Sequence, residues 1–295
     1  MDQVSLDRAE QIAYKILGNS FIRLLNGKNN WVFEKADTIL TIPRHQRVKS
    51  YEIRVSAAKR FIEAGIPTAE PLEYHPRDKN NIEYLLVRKI EGHNIDLSKL
   101  TEAERDKSHR SAGEILKRVH SLNVKGYGRL DSKMVGRNKS WIEFISNYFQ
   151  ESIGRLCKNN ILSLRYKTIL EREYTRGLEL MRCLDFPTFL HADFHIGNLL
   201  FKDCKVVGVM DLDIVSSGDS EWDTGHYSHT FNYDRNNGIN SFRGGYGQAT
   251  DVLAERVYSI IIWTRKLGSQ AIDRPEALKE TISELENILK WRWQL

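Results

Sequence analysis

Three polar residues in the second half of the chain, Asp193, Asn198 and Asp211, have the types and spacing that phosphoryl transfer requires. This reaction needs a group that orients the attacking hydroxyl and oxygen ligands for a Mg²⁺ ion beside the phosphates. Asp193 can orient the hydroxyl. Asn198 and Asp211 can bind Mg²⁺, which prefers hard oxygen ligands in an octahedral shell. The pattern therefore predicts a catalytic aspartate next to a two-residue metal site.

The residues between Asn198 and Asp211 favour a β-hairpin. Two short apolar runs, 199–202 and 206–210, flank a turn-forming segment at 203–205. Folding about this turn places Asn198 opposite the end of the second run, with Asp211 as its neighbour at the open end. Directly opposed residues on paired strands lie about 5 Å apart at Cβ. We therefore expect the two side chains to reach one metal ion.

The wider sequence around these residues carries a recognisable pattern. It reads His191-Ala192-Asp193-Phe194-His195-Ile196-Gly197-Asn198, then Gly208-Val209-Met210-Asp211, then Gly218-Asp219-Ser220-Glu221-Trp222-Asp223. These segments resemble the aminoglycoside phosphotransferase family, which belongs to the protein-kinase-like superfamily of small-molecule kinases. The resemblance is strong over residues 188–226 and continues more weakly through 27–33, 39–45 and 64–67.

The resemblance implies an α+β, protein-kinase-like fold with two lobes. Residues 1–92 would form an N-terminal nucleotide-binding lobe, β-rich with one inserted helix. Residues 93–295 would form a larger, mostly helical C-terminal lobe that holds the catalytic and acceptor-binding residues, and 89–94 would be the hinge. The same resemblance assigns the site residues as follows: Asp193 as catalytic base, Asn198 and Asp211 as metal ligands, and His191 and Asp219 as supports of the catalytic loop.

The expected nucleotide contacts lie in the N-terminal lobe and at the hinge. They are Gly27, Asn29 and Asn30 in a turn, Glu52 in the following helix, and Arg88 and Ile90 near the hinge. Successive backbone N–H groups in such a turn can bind phosphates, although an Asn-Gly turn between strands is also typical of a plain hairpin. Hinge backbone would bind the base, so the side chains do not distinguish ATP from GTP.

The third strand departs from the kinase-like pattern. This strand normally carries a Lys that neutralises the α- and β-phosphates and pairs with a Glu of the next helix. Alignment of the run that ends in Arg44-His45 puts Thr41 at this position, and threonine has no charge. The candidates to supply the cation are Lys28, Arg44, Arg47 and Lys49.

The helix partner of that cation is also displaced. Glu52 lies 13 residues before Gly65, whereas we expect the carboxylate about three turns before the helix end. One turn is 3.6 residues, so a shift of two residues rotates the side chain well away from the expected face. Glu52 as a solvated surface residue is the alternative interpretation.

Hydrophobic periodicity and turn residues predict the other elements. Strands are expected at 21–25, 31–35, 39–42, 70–74 and 82–88, and helices at 6–17, 49–64, 101–120, 140–150 and 160–183. A further helix begins at Asp251 and is capped by Gly268, and the last begins at Asp273. Residues 231–247 are rich in Asn, Gly and aromatics and are expected to form a flexible loop.

Composition limits the class of protein. The net charge of +5, from 44 basic and 39 acidic residues, is too mild for a dedicated nucleic-acid binder. Three cysteines without a CxxC spacing indicate neither a disulfide framework nor a zinc site, which fits a reducing cytosol. The first nine residues lack a signal-peptide core, and the apolar stretch at 257–263 is too short to span a membrane. We expect a cytoplasmic monomer.

The function expected from the sequence is transfer of the γ-phosphoryl of ATP or GTP, with Mg²⁺, to a hydroxyl of a small molecule. An aminoglycoside-like, cationic antibiotic is the favoured acceptor, and carboxylates would bind its ammonium groups. The acidic residues available for this are Glu221, Asp234, Asp251 and Glu255.

Two alternatives stay open. One is a nucleotide-binding pseudokinase, because Thr41 lacks the charge. The other is a kinase of another metabolite, with a choline-like or sugar acceptor. A protein kinase fits poorly, because no Ala-Pro-Glu follows Asp211 and there is little room for an activation loop before Trp222.

Overall fold

The computed structural model describes residues 3–25, 29–45, 50–78, 81–159, 161, 164–180, 184, 186–229, 237–247, 251–273 and 282–283. Within these residues the chain forms a β-rich N-terminal lobe with one inserted helix and a mostly helical C-terminal lobe, as the sequence predicted.

The described N-terminal lobe is built around an antiparallel sheet with strand order β1-β2-β3-β5-β4. Its elements are α1 (Leu6–Leu17), β1 (Ile22–Leu24), β2 (Asn30–Lys35), β3 (Thr38–Pro43), α2 (Ser50–Glu63), β4 (Pro71–His75) and β5 (Tyr84–Arg88). Helix α1 begins at Ser5, whose hydroxyl accepts a hydrogen bond from the Arg8 N–H at 3.3 Å. Its buried alanines pack with Phe33 and Leu40 of the sheet.

Helix α2 lies between this sheet and the C-terminal lobe. The N–H of Tyr51 in its first turn donates to the buried carboxylate of Glu83 at 3.1 Å, which places negative charge at the positive end of the helix. The helix gives way to Gly65, whose φ of +67° suits a glycine after a helix end. Phe61 of α2 is fully buried in one core with Phe189 of the C-terminal lobe.

The described C-terminal lobe contains helices, a four-stranded sheet of order β7-β6-β11-β8 and a separate hairpin. Its elements are α3 (Glu102–His120), β6 (Tyr127–Leu130), β7 (Gly136–Asn138), α4 (Trp141–Lys158), α5 (Leu164–Leu180), β8 (Thr188–Leu190), β9 (Leu199–Lys202), β10 (Lys205–Val209), β11 (Ser216–Gly218), α6 (Glu221–His229), α7 (Asn237–Tyr246) and α8 (Val252–Asp273). A capping box opens α3: Thr101 and Glu104 exchange hydrogen bonds.

Three predicted elements differ in the C-terminal lobe. Helix α4 continues to Lys158 rather than ending near residue 150, because its apolar face stays buried through Leu156. Gly268 lies inside α8 rather than capping it. The predicted loop contains helix α7, which packs closely on α3. Asp273, the predicted start of the last helix, is instead the final residue of α8, and residues 274–281 lie outside the described part of the chain.

The two lobes are joined by backbone hydrogen bonds as well as by the shared core. After β5, the N–H groups of His93 and Phe201 donate to each other's carbonyls at 3.0 and 2.8 Å. The N–H of Val209 donates to the carbonyl of Pro67 at 2.8 Å. The predicted hinge segment therefore runs beside the β9–β10 hairpin, where the candidate site residues lie.

Candidate active site

The loop that carries Asp193 follows β8 and is fixed by one buried carboxylate. Asp223 in α6 accepts from the backbone N–H groups of His191 and Ala192 at 2.7 and 2.8 Å. Its Oδ2 also lies 3.2 Å from Nε2 of the half-buried His120. Ala192 adopts a φ of +68°, a conformation that costs energy for a residue with a Cβ. The bonds to Asp223 hold the backbone in this shape.

The two residues predicted to support the loop lie in different places. His191 is buried and its Nε2 contacts the carbonyl oxygen of Met210 at 2.8 Å, so it joins the loop to the end of the hairpin. Asp219 instead accepts from Tyr258 Oη and the Glu221 N–H at 2.7 and 3.0 Å. The bonds to the loop backbone come from Asp223, four residues later.

The Asp193 carboxylate lies at the surface of the loop, with 30% of its side chain exposed. Its Oδ2 accepts from the Asn198 amide at 2.9 Å, and its two oxygens lie 3.7 Å and 3.4 Å from His195 and His226. Burial alone would raise the pKa of Asp193, but the two histidines bring the pKa below its ordinary value. Asp193 is therefore ionised at neutral pH.

His226 is the more deeply buried of the two histidines beside Asp193. Burial lowers its pKa to about 4 despite the attraction of the Asp193 carboxylate. The ring therefore contributes a hydrogen-bonding nitrogen rather than a full positive charge near pH 7. His195, singled out in the sequence only as part of the motif, lies on the other carboxylate oxygen of Asp193.

The β9–β10 hairpin matches the predicted geometry. Val209 pairs with Leu199, so Asn198 lies opposite Met210, whose N–H donates to the Asn198 carbonyl at 2.8 Å. The turn consists of Asp203 and Cys204, both with positive φ, as a tight two-residue hairpin turn requires. Asp211 follows directly, at a φ of +60°.

Asp211 shares a cation with a second aspartate. Arg54 of α2 lies with Nη2 3.9 Å from Asp211 Oδ1 and with Nε 3.2 Å from Asp213 Oδ1. Half of the Asp211 side chain is exposed, whereas Arg54 is 18% exposed. Burial raises the pKa of Asp213 to about 6, and the charge of Asp211 adds to this rise while Arg54 opposes it. Sequence reasoning did not identify Arg54.

A cleft of about 320 Å³ opens between the N-terminal sheet, the hinge segment and the hairpin. Its lining includes Asn30, Thr41, Arg54, Arg88, Ile90 and Asp211. The cleft therefore brings together three of the predicted nucleotide contacts with one predicted metal ligand. Thr41 is almost fully buried, and its hydroxyl donates to the Leu85 carbonyl at 3.2 Å.

The other predicted nucleotide contacts lie elsewhere or are not described. Glu52 is half-buried on α2 but does not line the cleft, where the same helix presents Arg54. Asn29 is exposed just before β2, and Gly27 lies outside the described residues. Arg88 lines the rim of the cleft but is paired with Glu70 and Asp37 at 2.9 and 3.1 Å.

The other proposed sources of the missing strand cation are less favourable. Arg44 stacks on Trp31, with its guanidinium carbon 4.1 Å from the ring centroid. Lys28, Arg47 and Lys49 lie outside the described residues. Arg54 lines the cleft together with Thr41 and Asp211. Lys89 also lines it, but it is paired with Glu34.

Two of the acidic residues proposed for acceptor binding, Glu221 and Glu255, are engaged inside the protein, whereas Asp251 is exposed. Glu255 is 3% exposed and paired with Arg243 at 2.7 Å. Glu221 accepts from Thr224 Oγ1 at 2.6 Å and from the Asp251 N–H at 3.0 Å. Asp234 lies outside the described residues. Arg129, in contrast, lies close enough to Asp193 for the two charges to interact.

Within the described residues, no group of three or more His, Cys, Asp or Glu side chains could hold a metal ion. None of the described helices is long and apolar enough to cross a bilayer.

The β-rich lobe, the hinge, the Asp193 loop and the adjoining hairpin define a protein-kinase-like fold. A model of the phosphotransferase enzyme family matches residues 22–258. The chain belongs to this family, which confirms the resemblance seen in the sequence.

Solved structures share the fold across nearly the whole chain. The apo form of a thermostable mutant of aminoglycoside phosphotransferase APH(4)-Ia is 15% identical, with a TM-score of 0.77 over 95% of this chain and 98% of that chain. The gentamicin complex of APH(2″)-IIa is 17% identical, with a TM-score of 0.71 over 97% of both chains. A choline/ethanolamine kinase family protein from Mesorhizobium loti is 19% identical, with a TM-score of 0.70 over 96% of this chain and 94% of that chain. At these identities the likeness shows the fold alone.

Curated relatives carry a different name. Acyl-CoA dehydrogenase family member 11 of Mus musculus is 24% identical over 215 residues, which are 70% of this chain and 26% of that protein. The Homo sapiens protein of the same name is 21% identical over 222 residues, 71% of this chain and 26% of that protein. The chain thus spans about a quarter of the length of these relatives.

Proposed function

We propose that this chain is a small-molecule kinase that transfers the γ-phosphoryl of ATP or GTP to a hydroxyl group with the help of Mg²⁺. The observation that carries the proposal is the arrangement of Asp193, Asn198 and Asp211. The ionised carboxylate of Asp193 is hydrogen-bonded to the Asn198 amide at 2.9 Å. Asn198 directly precedes β9, and Asp211 lies just after β10, the strand that pairs with β9. This is the set of groups that phosphoryl transfer uses.

Asp193 would act by orienting the acceptor hydroxyl and accepting its proton. Its low pKa makes it a weak base. A weak base suits a loose transition state, in which little bond to the attacking oxygen has formed. The Asn198 amide and the two histidines hold the carboxylate in one orientation. Orientation of this kind can account for a large part of the rate, since the reactants are held in place before reaction.

The side chains of Asn198 and Asp211 fit a Mg²⁺ ion. Asn198 donates its amide nitrogen to Asp193, so its amide oxygen is directed away from that contact, and Asp211 offers a half-exposed carboxylate. Two protein oxygens are sufficient, because Mg²⁺ at phosphoryl-transfer sites completes its shell with phosphate oxygens and water. The ion, when bound, offsets the negative charge of the phosphates.

The acceptor proposed first is an aminoglycoside-like compound, in line with the fold shared with aminoglycoside phosphotransferases. One observation favours a second acceptor class, a hydroxylated molecule that is not a polycation. Glu255 is paired with Arg243, and Glu221 accepts a hydrogen bond from Thr224. With these two carboxylates engaged, the site suits a neutral or anionic acceptor better than a polycation.

The test is transfer of labelled γ-phosphate from ATP, and separately from GTP, in the presence of Mg²⁺. The acceptor panel contains aminoglycosides, choline, neutral sugars, hydroxycarboxylic acids and sugar phosphates. We expect transfer to one class, with a loss of about a thousandfold or more in Asp193→Asn while nucleotide affinity is retained. Undiminished transfer in Asp193→Asn would overturn the role of Asp193.

A nucleotide-binding pseudokinase is the alternative function, favoured by the neutral Thr41 in the cleft. It predicts nucleotide binding without transfer to any acceptor. A Thr41→Lys variant separates the two functions. A large gain of transfer would indicate that the natural chain lacks a needed cation, whereas an unchanged rate would indicate that another basic residue supplies it.

A further inference from the structure

Thr41, a residue of β3 that lines the cleft, carries no positive charge for nucleotide phosphates. In kinase-like folds a Lys of the third strand neutralises the α- and β-phosphates, and a Glu of the next helix holds that Lys in place. Here Thr41 lines the cleft at the strand position, and its hydroxyl is bonded to the Leu85 carbonyl. The positive charge must come from another element if a nucleotide is to bind there.

Helix α2 presents Arg54 at the position where the carboxylate is expected. Three helical turns are about 11 residues, and Arg54 lies 11 residues before Gly65. Its side chain lines the cleft together with Thr41, Asn30 and Asp211. Both members of the usual ion pair are therefore replaced, and the helix position carries a cation instead of a carboxylate.

The contacts of Arg54 direct its free edge toward the proposed metal ligand. Nε is 3.2 Å from Asp213, which holds the guanidinium from one side. Nη2 is 3.9 Å from Asp211, too far for a hydrogen bond. A guanidinium has five donors in a planar fork that matches phosphate oxygens, so one carboxylate can position it while other donors face a ligand.

The helix that carries Arg54 is fixed at its N-terminal end. Tyr51, one turn before Arg54, donates its hydroxyl to Asn30 at 2.9 Å and its N–H to buried Glu83 at 3.1 Å. The Arg54 guanidinium also lies over the Tyr51 ring, 5.4 Å from its centroid. These contacts attach the first turn of α2 to the sheet, and they fix the position of Arg54 in the cleft.

We propose that Arg54 supplies, from helix α2, the positive charge for the nucleotide phosphates that kinase-like folds take from the third strand, with Asp213 as its positioning carboxylate. The inference rests on the proposed function, because it assigns the nucleotide to this cleft. In this chain the residue on β3 is neutral and the cation lies on α2, whereas kinase-like folds usually have the cation on the strand.

The test compares the affinities for ATP and for adenosine, measured by calorimetry on the full chain with and without Mg²⁺. Arg54→Gln should weaken ATP binding by about tenfold to a hundredfold, the usual effect of losing a hydrogen bond to a charged group. Adenosine has no phosphate, so its affinity should not change. Arg54→Lys should retain part of the ATP affinity. Lys59→Gln, an exposed residue on the same helix, is the matched control and should bind both ligands as the wild type does.

A second variant tests the exchange directly. Thr41→Lys in the Arg54→Glu background restores the usual arrangement of strand cation and helix carboxylate, and it should recover at least tenfold of the ATP affinity that Arg54→Glu alone loses. Wild-type ATP affinity in Arg54→Gln, or an equal loss of adenosine binding, would overturn the inference. Failure of the proposed function would give a different result. The wild-type protein would then show no Asp193-dependent phosphoryl transfer, whether or not its ATP binding depends on Arg54.

Discussion

At the scale of single residues, the carboxylate of Asp223 determines the shape of the loop that carries Asp193. It accepts from two consecutive backbone N–H groups, those of His191 and Ala192. An asparagine at this position keeps one acceptor and turns an amide N–H₂ toward the other backbone donor. Asp223→Asn should lower the free energy of unfolding by about 2–4 kcal/mol and lower kcat more than it raises KM for the nucleotide. Urea denaturation and steady-state kinetics measure the two effects.

Asp219→Asn is the matched control for this prediction. Asp219 bonds Tyr258 and the Glu221 N–H rather than the loop, so its substitution should lower kcat less than Asp223→Asn does. A larger kcat loss in Asp219→Asn would return the supporting role to the residue that the sequence motif first suggested.

Glu221 makes stability depend on pH. Burial, which outweighs the hydrogen bonds from Thr224 and Asp251, raises its pKa from 4.5 to about 7. Between these values the folded chain holds a proton that the unfolded chain has lost, so the free energy of unfolding falls as pH rises from 4.5 to 7. Glu221→Gln removes this dependence. From pH 5 to pH 8 the free energy of unfolding of the wild type should fall by about 1–2 kcal/mol relative to that of Glu221→Gln, after discounting for solvent screening.

Urea denaturation at the two pH values measures this difference, and the exposed Glu114→Gln on α3 is the control. Its stability difference from the wild type should be the same at pH 5 and pH 8. A Glu221→Gln difference that does not change with pH would show that the carboxyl is not held protonated by its surroundings.

At the scale of elements, the contact between α3 and α7 depends on glycines that bring the two backbones together. A Cβ on Gly245 would lie 2.0 Å from the Arg110 carbonyl oxygen, whereas a Cβ on Gly244 would meet only the end of the flexible Arg110 side chain at 3.4 Å. Gly245→Ala should therefore destabilise the protein by about 1–3 kcal/mol or more. Gly244→Ala should be neutral or stabilising by up to about 1 kcal/mol, because alanine favours the helix. Thermal unfolding of the two variants tests the contrast, and equal effects would contradict it.

The same elements show what the sequence could and could not predict. The hairpin was predictable because two apolar runs and a short polar turn determine its register locally. Helix α7 was not, because its Gly244 and Gly245 have low helix propensity, and the reason for Gly245 appears only in the close approach of α3. The role of Asp223 depends on how α6 docks on the loop, and no local pattern contains that information. Arg54 did have a local signal, its spacing of 11 residues before Gly65, although only the cleft shows that its side chain faces the site.

At the scale of the whole molecule, the lobe boundary predicted near residue 92 does not separate the cores. Phe61 of the inserted helix is fully buried in one cluster with Phe189 and Leu116 of the C-terminal lobe, and its ring centroid is 5.8 Å from that of Phe189. A second cluster, which includes Phe33 and Leu40, lies within the N-terminal lobe. The position of α2 in the first cluster predicts that the catalytic lobe and the helix that carries Arg54 are lost together on unfolding.

Two substitutions of equal chemistry test this coupling. Phe61→Ala and Phe33→Ala should each cost about 3–5 kcal/mol, because both side chains have no exposed surface. Native-state hydrogen exchange then locates the loss. Phe61→Ala should speed exchange both in α2 and in α3 of the C-terminal lobe, whereas Phe33→Ala should act mainly on β2 and β3. Unchanged exchange in α3 of Phe61→Ala would show that the two lobes unfold independently, since the shared core would then contribute nothing to their cooperativity.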